Sequence, residues 1–205
     1  MWWAEIRDLS VHLTAVTADR AQSIDPTATI EQGALIDESG GPVVIGARSK
    51  VCAGAILKGP IAIGEDCLIG NRAMLRGPTI IGNGVRIGFS AELKQALIAD
   101  DVSIGPMCFV ADSRIDRGAY LGALVRTSNH RLDGKPVCVR DGDRSIDTGC
   151  EKLGCWVGSD ASLGIQVIVL PGRVVAPGST FEPRVTVDRN YPAGRYRLKQ
   201  ILEAA

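Results

Sequence analysis

Aromatic side chains make up only 4% of the 205 residues. Phe, Tyr and Trp bury the most area per residue, so a conventional globular core usually uses more of them. A chain that does without them is expected to stack small, regular layers. Net charge is also missing: 23 Lys and Arg balance 23 Asp and Glu. That balance gives no basic surface for nucleic acid or an anionic membrane. The opening residues, Met1-Trp2-Trp3-Ala4-Glu5, form neither a signal peptide nor a membrane span, so a cytoplasmic protein is expected. Metal chemistry is poorly supplied as well. The two histidines are His12 and His130, and the six cysteines form no CxxC pair. Neither a metal cofactor nor a disulfide is expected.

What the chain has is a repeat. Gly is abundant, at 24 residues, and aliphatic residues recur every six positions. Each is followed by a small or acidic residue, two variable positions, a small residue and one more variable position. Ile63-Gly64-Glu65-Asp66-Cys67-Leu68 and Ile69-Gly70-Asn71-Arg72-Ala73-Met74 fit, as do the hexapeptides opening at Ile81 and Ile87. The register continues at Ile104, Ile115, Leu121, Val157, Leu163 and Val175, and precedes Ile63 at Ile24, Ile30, Ile36 and Ile45. Six is neither a helical period nor a simple strand period. It suits a short strand and a turn, repeated three times per coil of roughly 18 residues. The predicted fold is all-β: a left-handed parallel β-helix of hexapeptide repeats with short terminal capping helices. Cys67 and Cys108 fall on the small position and read as core filler.

The predicted organisation has three parts. Residues 1–22 form an N-terminal capping helix, with Trp2, Ile6, Leu9, Leu13 and Val16 at helical spacing. Residues 23–190 form the β-helix. Residues 191–205 form a C-terminal helix. One segment, 127–148, breaks the repeat with TSNHRLDGKPVCVRDGDRSIDT. A structureless stretch of that length is uncommon inside a compact domain and is usually functional or disordered. It is expected to leave the coil as an arm and reach across a neighbouring subunit.

Two segments carry a family resemblance: Asp147-Thr148-Gly149-Cys150-Glu151-Lys152-Leu153-Gly154 and Val169-Leu170-Pro171-Gly172. From about Ile63 to Pro192 the chain resembles the acetyltransferase domain of the N-acetylglucosamine-1-phosphate uridyltransferases. It is most similar to the archaeal-type sugar-1-phosphate nucleotidylyltransferases that carry that domain. Their nucleotidyltransferase domain has no counterpart here, so no pyrophosphorylase activity is expected. The resemblance implies a homotrimer with active sites between subunits and acetyl-CoA as co-substrate. It implies Arg76 and Lys94 as the grip on the acceptor's phosphates, and these are 18 positions apart, one coil, in one column. Asn129 and Lys135 match the family's Asn and Lys in the excursion, and Ala123, Ser159 and Ala176 match positions near the coenzyme. Lys152 is a further candidate for the coenzyme. The family's catalytic His falls on Pro106 and its partnering Tyr on Phe109, neither of which accepts a proton. An amine acceptor must lose a proton, and His130, beside Asn129, is the residue left that ordinarily titrates near neutral pH.

Plainer readings stand beside these: solvated charge for Arg76, Lys94 and Lys152, an exposed loop histidine for His130. The function read from the sequence is a CoA-dependent acyltransferase acting on an amino sugar, sugar phosphate or nucleotide sugar. The alternative is a non-catalytic sugar-phosphate or nucleotide-sugar binding module that has lost the catalytic His. A carbonic anhydrase of the same fold needs three His on zinc, and this chain has two His in all.

Overall fold

A computed structural model describes residues 1–17 and 23–199. Three sheets of nine, eight and seven strands run the length of the chain, and every pairing between their neighbouring strands is parallel. The chain visits the sheets in rotation: Thr29–Ile30 on face 1, Leu35–Asp37 on face 2, Val43–Ile45 on face 3, then back to face 1 at Lys50–Val51. The result is a left-handed parallel β-helix with about nine turns. Inward aliphatics stack in register, Val51 on Ile69 and Ile69 on Ile87, so each layer buries the one before it.

The hexapeptide has a physical basis at its turns. The Gly after the inward residue is there for closeness. A Cβ on Gly64 would lie 2.5 Å from the Gly82 carbonyl oxygen of the next coil. Left-handed backbone falls two residues later, at Asp66 (φ 55°), Arg72 (φ 57°), Gly84 (φ 67°) and Met107 (φ 55°). Cys67 and Cys108 do fill the small position: both are buried, and their thiols donate to the Gly82 and Gly122 carbonyls at 3.1 and 3.0 Å.

The termini depart from expectation. The N-terminal segment folds as two helices, α1 (Trp2–Arg7) and α2 (Leu9–Thr17), and neither caps the end of the coil. They lie on the outside of face 3, α2 against Ile61–Ile63 and Thr79–Ile81, α1 against Arg114–Ile115. The reason is a second, outward apolar column on that face: Val44, Ala62, Ile80, Leu97, Trp156 and Val174, interrupted by Arg114. Burying Ile6, Leu9 and Leu13 there removes two apolar surfaces from water at once, while Val16 stays exposed. Residues 18–22 of the expected helix lie outside the described residues. The expected C-terminal helix is replaced, where described, by strand Arg195–Tyr196, which pairs with Thr180–Phe181; residues 200–205 lie outside the described residues. Phe181, Tyr191 and Tyr196 cluster there, Phe181 and Tyr196 stacked at 4.8 Å, and aromatic rings close the last coil.

The arm leaves at the corner between faces 2 and 3, after Thr127, and returns at Trp156. Its core is an antiparallel hairpin, Cys138–Asp141 with Arg144–Asp147. The expected reach across a neighbour does not describe its base, which folds back on its own chain. Val137, Val139 and Leu153 are buried with Trp2 and Ile6. The turn around Leu132 and the hairpin tip at residues 140–145 are exposed.

Candidate functional site

The corner between faces 2 and 3 gathers most of the polar candidates. Arg76 and Lys94 are register partners on adjacent strands of face 2. Each is already paired: Arg76 with Glu92, Lys94 with the Asp112 carboxylate at 3.7 Å. Asp112 is the residue that sequence reasoning missed. It sits at the corner one coil above Lys94 with φ 50°, and its side chain is 2% exposed. A buried carboxylate is stable only if paired and hydrogen-bonded. Here it takes the Lys94 ammonium and a donated hydrogen bond from the Asn129 side-chain amide. The signal available in the sequence was slight: an Asp 18 positions after Lys94, in the variable part of a repeat whose Asp residues are mostly exposed.

Asn129 and His130 begin the arm. The Asn129 carbonyl accepts from Leu153 N–H at 2.9 Å, and His130 bridges Lys152 across the base of the arm. The His130 Nδ1 is 3.3 Å from the Glu151 carbonyl oxygen. With Nδ1–H donated there, Nε2 is left as an acceptor facing solvent. His130 lines an open cleft of about 730 Å³ between the arm and Leu170–Pro171.

Lys94 and Asn129 therefore meet at Asp112, and His130 follows Asn129 in the chain with its ring turned to the Glu151 carbonyl. Lys135 does not join them; it is exposed at the arm's turn, its backbone N–H directed to Asp133. Lys152 is exposed beside His130. The coenzyme candidates are divided. Ser159 and Ala176 stack at the corner between faces 3 and 1, where Gly178 N–H reaches the Ser159 carbonyl at 2.8 Å. Ala123 lies at the corner between faces 1 and 2, directly above Pro106, whose carbonyl accepts from Leu124 N–H at 3.0 Å. Phe109 is half-buried on face 2 and borders a shallow hollow with Glu92, Met107 and Arg126. One chain thus places Ala123, Ser159 and Ala176 on corners other than that of the acceptor candidates, while Lys152 stands beside His130.

Comparison with known proteins agrees with the repeat. Residues 60–95 match the bacterial transferase hexapeptide family (six repeats). The chain is 55% identical over 168 residues to an uncharacterised acetyltransferase, YaiX, of Escherichia coli, covering 82% of this chain and 73% of that one. It is 31% identical over 107 residues to the bifunctional sugar-1-phosphate nucleotidylyltransferase/acetyltransferase of Sulfurisphaera tokodaii, 52% of this chain but 27% of that protein. Among solved structures, LpxA of Acinetobacter baumannii shares the fold, with a TM-score of 0.50 at 12% identity over 84% of this chain and 69% of that chain.

Proposed function

The chain belongs to the bacterial hexapeptide-repeat transferase family and is an acyltransferase; from that premise we propose that it moves an acetyl group from acetyl-CoA to the amine of an amino sugar or sugar phosphate. The observation that supports this reading is His130, which lines an open cleft and directly follows Asn129, whose side-chain amide meets Lys94 at the buried Asp112. Asp112 holds Lys94 and the Asn129 amide in place. His130, its Nδ1 turned to the Glu151 carbonyl, takes the amine's proton on Nε2. The amine nitrogen attacks the thioester carbon, the C–N bond forms and the C–S bond breaks. The coenzyme leaves as the thiolate and recovers the proton from His130. Holding amine and thioester together supplies much of the rate, because alignment replaces a bimolecular encounter. Completing the coenzyme's site takes residues from a second copy of the chain, since Ala123 and Ser159 lie on corners other than that of His130.

The test is acetyl-CoA consumption with glucosamine 1-phosphate and related amino sugars. His130→Ala should lower turnover by about 10²- to 10⁴-fold with little change in acceptor affinity. Full activity in that variant places the base elsewhere. Pro106 and Phe109, which carry no proton acceptor, favour a second reading, a binding module. Acceptor binding with no consumption by the wild type selects it.

A further inference from the structure

Cationic side chains gather a second time on the same edge, above the Lys94 cluster. Arg131, Arg140 and Arg173 line the cleft that contains His130. Arg140 and Arg173 also line an adjoining cleft of about 560 Å³, with Asp188, Arg189 and Asn190. Across the two clefts, four arginines face two aspartates. Both aspartates are engaged: Asp133 makes a two-pronged contact with Arg131 at 2.9 and 2.6 Å, and Asp188 has Arg189 at 3.9 Å. Arg173 gives its Nε–H to the Asp188 backbone carbonyl at 2.7 Å, and Arg140 gives one long bond, 3.5 Å, to the Asp143 carbonyl. Among the described residues, neither has a carboxylate at ion-pair distance. Burial holds Arg173 below the usual guanidinium range; the Asp188 carboxylate opposes that shift, and the repulsion of Arg140 and Arg131 adds to it.

The arrangement is fixed in place. Gly172 N–H donates to the Gly154 carbonyl at 2.6 Å, and a Cβ on Gly172 would stand 2.3 Å from the Cys138 carbonyl oxygen. The arm is thus laid tightly on the corner that presents Arg173. Asp188 offsets part of the charge, but across the two clefts the guanidinium groups outnumber the carboxylates, and an anion that bridges Arg140 and Arg173 relieves their mutual repulsion. Guanidinium groups bind phosphate through paired N–H donors, better than they bind a single-point acceptor. By contrast, Arg76 and Lys94 are neutralised by Glu92 and Asp112.

We infer that the cleft between Arg140 and Arg173 is a binding site for the diphosphate of a nucleotide, separate from the Arg76–Lys94 pair. Three coils separate Lys94 from Arg173, about 14 Å at the usual strand spacing. A ligand held at the arginines lies in the cleft that His130 also lines. Two sources share this chemistry, the nucleotide end of the coenzyme and a nucleotide-sugar acceptor. Choosing between them rests on the acyltransferase reading; the phosphate site does not.

Isothermal titration with CoA, UDP and dTDP tests it, on wild type and on Arg140→Gln, Arg173→Gln and the double variant. Arg86→Gln, an exposed arginine on face 1, is the control for general charge. Wild type should bind at least one of the three nucleotides. Each cleft variant should weaken that binding at least tenfold, and the control by less than twofold. Loss confined to CoA assigns the donor; loss confined to UDP or dTDP assigns the acceptor. The proposal is overturned if no nucleotide binds wild type, or if the double variant, folded by circular dichroism, binds as wild type does. Acetyl-CoA consumption separates the two readings. Diphosphate binding without turnover ends the acyltransferase reading and keeps the site. Wild-type turnover and KM in the double variant end the site and keep the reading.

Discussion

Single residues decide how closely the layers of this protein approach. Gly172 combines both demands of the repeat, a left-handed φ of 72° and a neighbour where a Cβ would stand. Gly172→Ala should destabilise by more than about 2 kcal/mol, from the left-handed penalty and the clash together. The loss should show as a lowered Tm and as faster amide exchange across residues 129–153, while the coils below Thr127 keep their protection. The buried thiols give a second prediction. Burial pushes Cys108 up to about 11 and Cys155 to about 12, from an ordinary 9.0. A thiol that holds its proton more tightly folded than unfolded adds stability below the unfolded pKa. That contribution drains away as pH rises toward the folded value. Stability should therefore be flat from pH 7 to 8 and fall between about 9 and 12, by up to about 1.4 kcal/mol per pH unit for each thiol. Denaturant midpoints against pH measure it, and a flat curve to pH 11 would contradict the burial of these thiols. All six cysteines should react with a thiol reagent once unfolded, and Cys108 and Cys155 should be silent when native at pH 8.

At the scale of elements, the arm and the N-terminal helix form one unit. Ile6 is buried between arm residues and face 3, so Ile6→Ala should cost about 2–5 kcal/mol and release the arm as well as the helix. Limited proteolysis should then cut near Gly142 as readily as near α1; cutting at α1 alone would show the two to be independent. This partnership was not legible in the sequence, and the reason is physical. The coil could be read because Ile63, Ile69, Ile81 and Ile87 repeat a local rule that each neighbour restates. The contact between Trp2 or Ile6 and Val137 or Val139 spans more than a hundred residues and repeats nothing. Helical spacing correctly marked Ile6, Leu9 and Leu13 as a buried stripe but carried no information about which surface buries it. That surface was written in the sequence as Ala62, Ile80 and Leu97, spaced by one coil, and Trp156 two coils further on beyond Arg114, hidden among the variable positions. The strand at Arg195–Tyr196 was misread because local propensity gave no sign that Thr180–Phe181 still offered a free edge. The candidate site followed the same division: Lys94 and Asn129 came from the family resemblance and His130 from its residue type, whereas Asp112 stands out by its burial alone.

At the scale of the whole molecule, exposed apolar residues form a pattern that one chain cannot satisfy. Phe89, Met107 and Ile165 stand 46%, 44% and 44% exposed at the corner between faces 1 and 2, Phe89 and Ile165 in one column and Met107 one position over. Leu132 is fully exposed at the turn of the arm, on a different corner. An apolar stripe on one edge and an apolar tip on another are not self-complementary about a two-fold axis, but they suit a head-to-tail contact that closes into a ring. A triangular prism closes most simply with three copies. Such a ring would set the Ala123–Pro106 corner of one subunit against the arm and His130 of the next, uniting candidates that a single chain holds apart. The expected mass in light scattering is about three times that of the 21.7 kDa chain. Leu132→Asp and Met107→Glu should each shift the protein toward monomer, because each places a charge in an apolar contact, while circular dichroism stays unchanged. Acetyl-CoA consumption should fall with the trimer fraction, and mixing the His130→Ala protein with the Met107→Glu protein should not restore it. A monomeric wild type at micromolar concentration would overturn the ring and with it the shared site. A trimer indifferent to both substitutions would keep the assembly and remove these two edges from its interface.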